Sequence, residues 1–107
     1  MKDINSRKNE KMNGLNTLKT RYRLPETTTP EELECNWRTV LNFGNHVLLA
    51  GYYYAGQGKP SYFGAIYTFT TNDHTCEGEI KLEAISTEMF PDNGSAIAWG
   101  IQHLQRG

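Results

Sequence analysis

The chain has 107 residues, of which 37% are hydrophobic and 21% charged, with 10 Gly, 4 Pro and a formal net charge of -1. These values fit one ordinary globular domain and exclude collagen-like, low-complexity and disordered classes. No apolar run approaches the roughly 18 to 20 residues that cross a bilayer, because the best candidate, Val47 to Tyr54, is short and interrupted by Gly51.

The small net charge hides an asymmetry. Residues 1–23 carry Lys2, Arg7, Lys8, Lys11, Lys19, Arg21 and Arg23 against Asp3 and Glu10, while residues 24–107 carry four basic and ten acidic groups. The expected organisation is a basic N-terminal arm over 1–25, partly helical or flexible, joined to an acidic compact domain over 26–107. The opening MKDINSRKNEKMNG is polar and basic without an apolar core, which is not a secretory signal, so a cytoplasmic location is expected. Cys35 and Cys76 lack the spacing of a redox pair or a zinc site and are expected to be free thiols, small and semi-buried.

In chain order, Leu15 and Leu18 would share one face of a short helix that Gly14 and several Asn weaken. The first strong helix signal begins at Thr29, with Pro30 at the first helical position and Glu32 completing a Thr-x-x-Glu capping box. Leu33, Trp37, Val40 and Leu41 then read as one apolar stripe, and Gly44 as the C-terminal cap. Three strands follow. His46 to Tyr54 is the first, and Ser61 to Thr70 the second, with Phe63, Ala65, Tyr67 and Phe69 as its core face. Glu77 to Ile85 is the third, with Ile80, Leu82 and Ala84 inward. The glycines of Ala55 to Pro60 make the first two a hairpin. Asp92 to Ser95 starts a last helix, whose Ile97, Ile101 and Leu104 form a stripe beside the small Ala96 and Gly100. The expected fold is α+β: a three-stranded antiparallel sheet packed against two helices in α-β-β-β-α order.

The residues offer no catalytic, cofactor-binding or metal-binding constellation, and no cofactor is expected. Gly56 to Ser61 matches a phosphate loop only at Gly58 and Lys59, with Pro60 where a hydroxyl is required and a strand where a helix is required. His46, His74 and His103 match no metal spacing, and a Cys-His pair would need adjacency that only the fold can create.

The tyrosines are more informative. Alternation sends Tyr53 to the face opposite Tyr52 and Tyr54, so these three cannot all enter one core, and one or two must be exposed or covered by another element. The leading expectation is a non-enzymatic interaction protein that binds a protein partner, or itself, through an acidic, tyrosine-bearing surface of Glu31, Glu34, Tyr52, Tyr53, Tyr54, Gln57, Lys59 and Tyr62. The alternative is a nucleic-acid-binding module that uses Arg7, Lys8, Lys11, Lys19, Arg21 and Arg23 together with exposed tyrosines. The element order is similar to that of double-stranded-RNA-binding domains. Their basic terminal helix is missing, since Gly94 to Gly107 holds only Arg106.

Overall fold

The computed structural model describes residues 14–54 and 60–106. Its centre is a five-stranded antiparallel sheet in the order β1-β5-β4-β3-β2, formed by β1 (Thr27–Thr28), β2 (Thr39–Phe43), β3 (His46–Tyr54), β4 (Pro60–Phe69) and β5 (Ile80–Ile85). Three helices pack against it: α1 over 14–22, α2 (Pro30–Asn36) and α3 (Asn93–Arg106). The expected three-stranded sheet with two helices is therefore replaced, among the described residues, by five strands and three helices.

The first correction is in the segment after Thr29. Thr29 does cap α2, its hydroxyl accepting from the Glu32 amide at 3.2 Å, but the helix ends at Asn36 after seven residues. Trp37 is already extended, at φ -131° and ψ 138°, and Thr39, Val40 and Leu41 pair with Ala50, Leu49 and Leu48. Trp, Thr and Val resist the helix through restricted side-chain rotation and suit a pleated surface, and β3 offers them a ladder. Gly44 is a hairpin residue, not a helix cap. Phe43 pairs with His46, and Gly44 at φ +67° is followed by Asn45 without a positive φ. That is the pattern of a two-residue type II′ turn.

The second correction is β1, whose Thr27 and Thr28 pair with Lys81 and Ile80 at the opposite edge. The third is in β5. Tyr67 pairs with Leu82 and Ile66 with Ala84, which leaves Glu83 as the extra residue of a bulge. The bulge reverses the alternation, so Ile85 joins Ile80 and Leu82 in the core in place of Ala84.

The sheet is covered on both faces. On one, α1 and α2 set Leu15, Leu18, Tyr22 and Leu33 against Val47, Leu49, Phe63, Ala65, Tyr67, Phe69, Ile80, Leu82 and Ile85. Tyr22 stacks on Phe63 with ring centroids 3.8 Å apart, and Trp37 meets the same ring edge-on at 5.6 Å. The buried Tyr67 hydroxyl donates to the Pro25 carbonyl at 2.7 Å, and burial pushes its phenol pKa up. On the other face, α3 lies close to the sheet through small residues. A Cβ on Gly100 would stand 3.2 Å from Leu48, and one on Gly64 would stand 2.6 Å from the Trp99 ring. Ala96 and Gly100 are buried, while Ile97, Ile101 and Leu104 are only half-buried. The close approach expected of the small pair is what brings the helix onto the sheet.

Helix α1 ends in a Schellman motif: the Leu24 amide donates to the Lys19 carbonyl at 2.9 Å and the Arg23 amide to that of Thr20 at 3.2 Å. The motif places a left-handed residue at its turn, and Arg23 occupies that place at φ +58°. Glycine is the usual occupant, and a side chain there costs about 1 to 2 kcal/mol.

Candidate ligand-binding site

Helix α3 covers only part of its face of the sheet. Beyond its N-terminal end, Tyr52 and Tyr62 stand directly opposite each other on β3 and β4. Their ring centroids are 6.2 Å apart, and Tyr54 meets Tyr52 edge-on at 5.6 Å. Tyr52 is 55% and Tyr54 58% exposed, so neither ring contributes to the core. Tyr53 points to the opposite face and packs edge-on against Tyr22 at 5.4 Å. The division that alternation requires is the one observed: two tyrosines out, one in.

The Tyr62 backbone is pinned by Phe90, its amide donating to the Phe90 carbonyl at 2.8 Å and its carbonyl accepting from the Phe90 amide at 2.7 Å. Ser86 fixes the neighbouring turn of chain. It is buried, accepts from the Gly64 amide at 3.0 Å and donates to the Glu88 carbonyl at 3.0 Å. The tyrosine platform thus rests on a strand tied down from β5's side.

Beside the platform is an open cavity of about 430 Å³, walled by the α2–β2 connection on one side and by β3, Tyr62 and Asn93 on the other. A volume of this order lies within the range of small-ligand sites, roughly 300 to 1,000 Å³. Trp37, Arg38, Tyr52 and Tyr62 contribute to its lining. Arg38 is exposed and, among the described residues, has no ion-pair partner. Trp37 is held over Gly51, where a Cβ would come within 2.5 Å of its ring.

The N-terminal end of α3 is already served by a carboxylate. Asp92 accepts from the Ser95 amide at 2.7 Å. That bond, with a further one from the Ser95 side chain, holds the carboxyl below its usual pKa. Arg38 is therefore the anion-attracting group of this cavity.

The other expected residues are dispersed. Glu31 and Glu34 are exposed on α2 and line no part of the tyrosine cavity. Lys19 pairs with Glu26 at 3.2 Å, Arg21 is exposed on α1, and Arg23 lines a second cavity beside Trp37. Gln57, Lys59, Arg7, Lys8 and Lys11 lie outside the described residues. Cys35 and Cys76 are free, and both are exposed instead of semi-buried. His46 faces Glu83 at 3.7 Å, His74 packs on Phe69 and His103 on Trp99. No Cys-His pair forms among the described residues, nor does any group of three or more His, Cys, Asp and Glu placed to hold a metal. No helix among them is long and apolar enough to cross a membrane.

Sequence reasoning missed Arg38 and the part Trp37 plays at the site. Both were absorbed into a helix that does not extend so far. The signal that could have found them is the Gly44-Asn45 dipeptide between two apolar runs, which is a two-residue hairpin pattern.

The fold and the site together define a small single α+β domain with an exposed tyrosine cluster beside a ligand-sized cavity. The model of the family described as Nucleotide modification associated domain 4 matches residues 24–104, from the end of α1 into α3, and the chain belongs to that family. No curated protein and no solved structure matched the chain.

Proposed function

We propose that this domain is a non-enzymatic recognition module that binds a nucleotide in the Tyr52–Tyr62 cavity. The base stacks on the tyrosines and the phosphate meets Arg38. The observation that carries the reading is that two adjacent tyrosines, Trp37 at the sheet edge and an arginine without an ion-pair partner among the described residues all border one space of about 430 Å³. Each base has a flat π face, and stacking on an aromatic side chain contributes about 1 to 3 kcal/mol. A guanidinium can bind two phosphate oxygens at once through its planar fork. The family's description supports a nucleotide as the ligand class. Of the alternative expected from sequence, the tyrosines carry over to this reading. Arg23 takes a part described below.

The test is a titration of the full chain with the four deoxynucleoside monophosphates, following quenching of tryptophan fluorescence. Saturable binding is expected, weakened about fivefold or more by Tyr52→Ala and by Arg38→Ala. No saturable signal up to millimolar nucleotide would reject the reading.

A second reading, protein contact or self-association, rests on β2. This edge strand carries no charged residue, and it leaves Leu41 47% and Phe43 43% exposed on the same sheet face as Tyr52. Uncharged edges of this kind are open to pairing with another chain. Light scattering across a concentration series tests it: a mass rising with concentration, and held at that of one chain by Leu41→Lys, supports it, whereas a constant single-chain mass removes self-association.

A further inference from the structure

The second cavity, of about 550 Å³, is lined by Tyr22, Arg23, Glu32 and Leu33 among others. It shares Asn36 and Trp37 with the tyrosine cavity. Both spaces lie at the corner where α2 gives way to β2, on either side of the edge that Trp37 occupies. Each has one arginine, Arg38 in the first and Arg23 in the second, and among the described residues neither is ion-paired.

Arg23 is the unusual one. Its place at the left-handed position of the α1 Schellman motif is one that glycine fills without strain. A charged side chain at a strained position next to a cavity points from the strain to a use for the side chain. The family match begins at Leu24, so nothing in that match assigns Arg23 a role.

We infer that the two cavities form one track for adjacent nucleotides of a single strand, with Arg23 receiving the phosphate next to the one held by Arg38. This inference rests on the nucleotide reading of the Tyr52–Tyr62 cavity and extends it. The ligand is then a dinucleotide unit of single-stranded nucleic acid rather than a free mononucleotide. Trp37, fixed edge-on against Phe63 and backed by Gly51, is a rigid divider around which the strand turns. Glu32 opposes the phosphate. It accepts from the Thr28 hydroxyl at 2.8 Å and puts one carboxylate in the lining of the second cavity. The track therefore gains when that charge is removed and loses when Arg23 is removed.

Isothermal titration of the full chain with thymidine 5′-monophosphate, with the 5′-phosphorylated dinucleotide pdTpdT and with its ribonucleotide counterpart tests this. The dinucleotides should bind about tenfold or more tightly than the monophosphate, by a margin that shrinks as salt is raised. Arg23→Gly should abolish most of that margin and leave the monophosphate affinity unchanged. Because glycine relieves the left-handed strain, this variant should also melt at a higher temperature, so its loss of binding cannot be loss of fold. Glu32→Gln should widen the margin. Comparison of the deoxy and ribo dinucleotides separates a DNA from an RNA source. Equal affinity for monophosphate and dinucleotide, or a margin that Arg23→Gly leaves intact, would overturn the track while the nucleotide reading stands. If no probe binds, both fall together.

Discussion

The two faces of the sheet are built from alternate residues of the same strands, yet they do different work. The face under α1 and α2 has a continuous layer of Val47, Leu49, Phe63, Ala65, Tyr67, Ile80 and Leu82, all buried. The face under α3 is buried at Leu48, Ile66 and Ala50, where the helix lies, and then runs out into Tyr52, Tyr54, Leu41 and Phe43, which stay exposed. Alternation supplies apolar side chains to both faces, but a single 14-residue helix roofs only part of the second. The unroofed part is where a small domain can place binding chemistry without opening its core.

The largest expected effect sharpens that contrast directly. Phe63→Ala removes a ring that is 0% exposed and packed between Tyr22 and Trp37. It should cost about 3 to 5 kcal/mol, read from the urea midpoint. Tyr54→Ser on the bare region should stay within about 0.5 kcal/mol. A comparable loss at both positions would break the distinction between the faces.

Gly64→Ala tests the contact beneath α3. The added methyl stands 2.6 Å from the Trp99 ring and 2.9 Å from the Ala96 carbonyl. The helix must lift, at about 1 to 3 kcal/mol, and amide exchange should accelerate in α3 while Val47 and Leu49 stay protected. Uniform acceleration through the sheet would show that the two layers are not separable.

Tyr67→Phe is smaller. It leaves the Pro25 carbonyl without its donor and should cost about 1 to 2 kcal/mol. The wild-type chain also loses stability with alkali at this residue. Burial raises the folded pKa of Tyr67, so its contribution is full below the unfolded value of about 10 and falls as pH rises above it. Tyr67→Phe should flatten the alkaline limb of a stability–pH curve, and an unchanged limb would assign it to other groups.

The smallest effect is at the α3 cap. The folded pKa of Asp92 is lowered, so its stabilisation is present above the unfolded value near 3.9 and is lost as pH falls through the lower folded value. Asp92→Ala should remove that acid dependence and leave the α1/α2 face untouched, as helicity and near-ultraviolet dichroism can show separately. An acid profile identical to that of the parent chain would remove the cap from the account.

Much of β3 and β4 was legible because each is a long run rich in aromatic, β-branched and other apolar residues. The capped starts of α2 and α3 were legible because Thr29 and Asp92 satisfy the first-turn amides of their own helices. The site was legible only as surplus tyrosines. The segment from Trp37 to Leu41 satisfies a helical spacing and a strand composition equally well, and Gly44 serves as a helix cap or as a hairpin residue. What decided between them was the ladder to Leu48, Leu49 and Ala50, which is not a local property. The same holds for the bulge at Glu83, which exchanges Ala84 for Ile85 in the core, and for β1, whose two residues are a strand only because Lys81 and Ile80 lie beside them.

The sequence by itself determined that this is an α+β domain with antiparallel strands, that α2 and α3 begin where their caps stand, and that Tyr52 and Tyr54 part from Tyr53. Those features depend on backbone geometry and on neighbours within a few residues, where periods of 2 and 3.6 leave their mark. Only the tertiary structure decided the sheet order, the strand character of β2 and the meeting of Trp37 and Arg38 with Tyr52 and Tyr62. A cavity is the space left between segments, and its walls come from five elements whose contacts are set by the packing of the whole sheet.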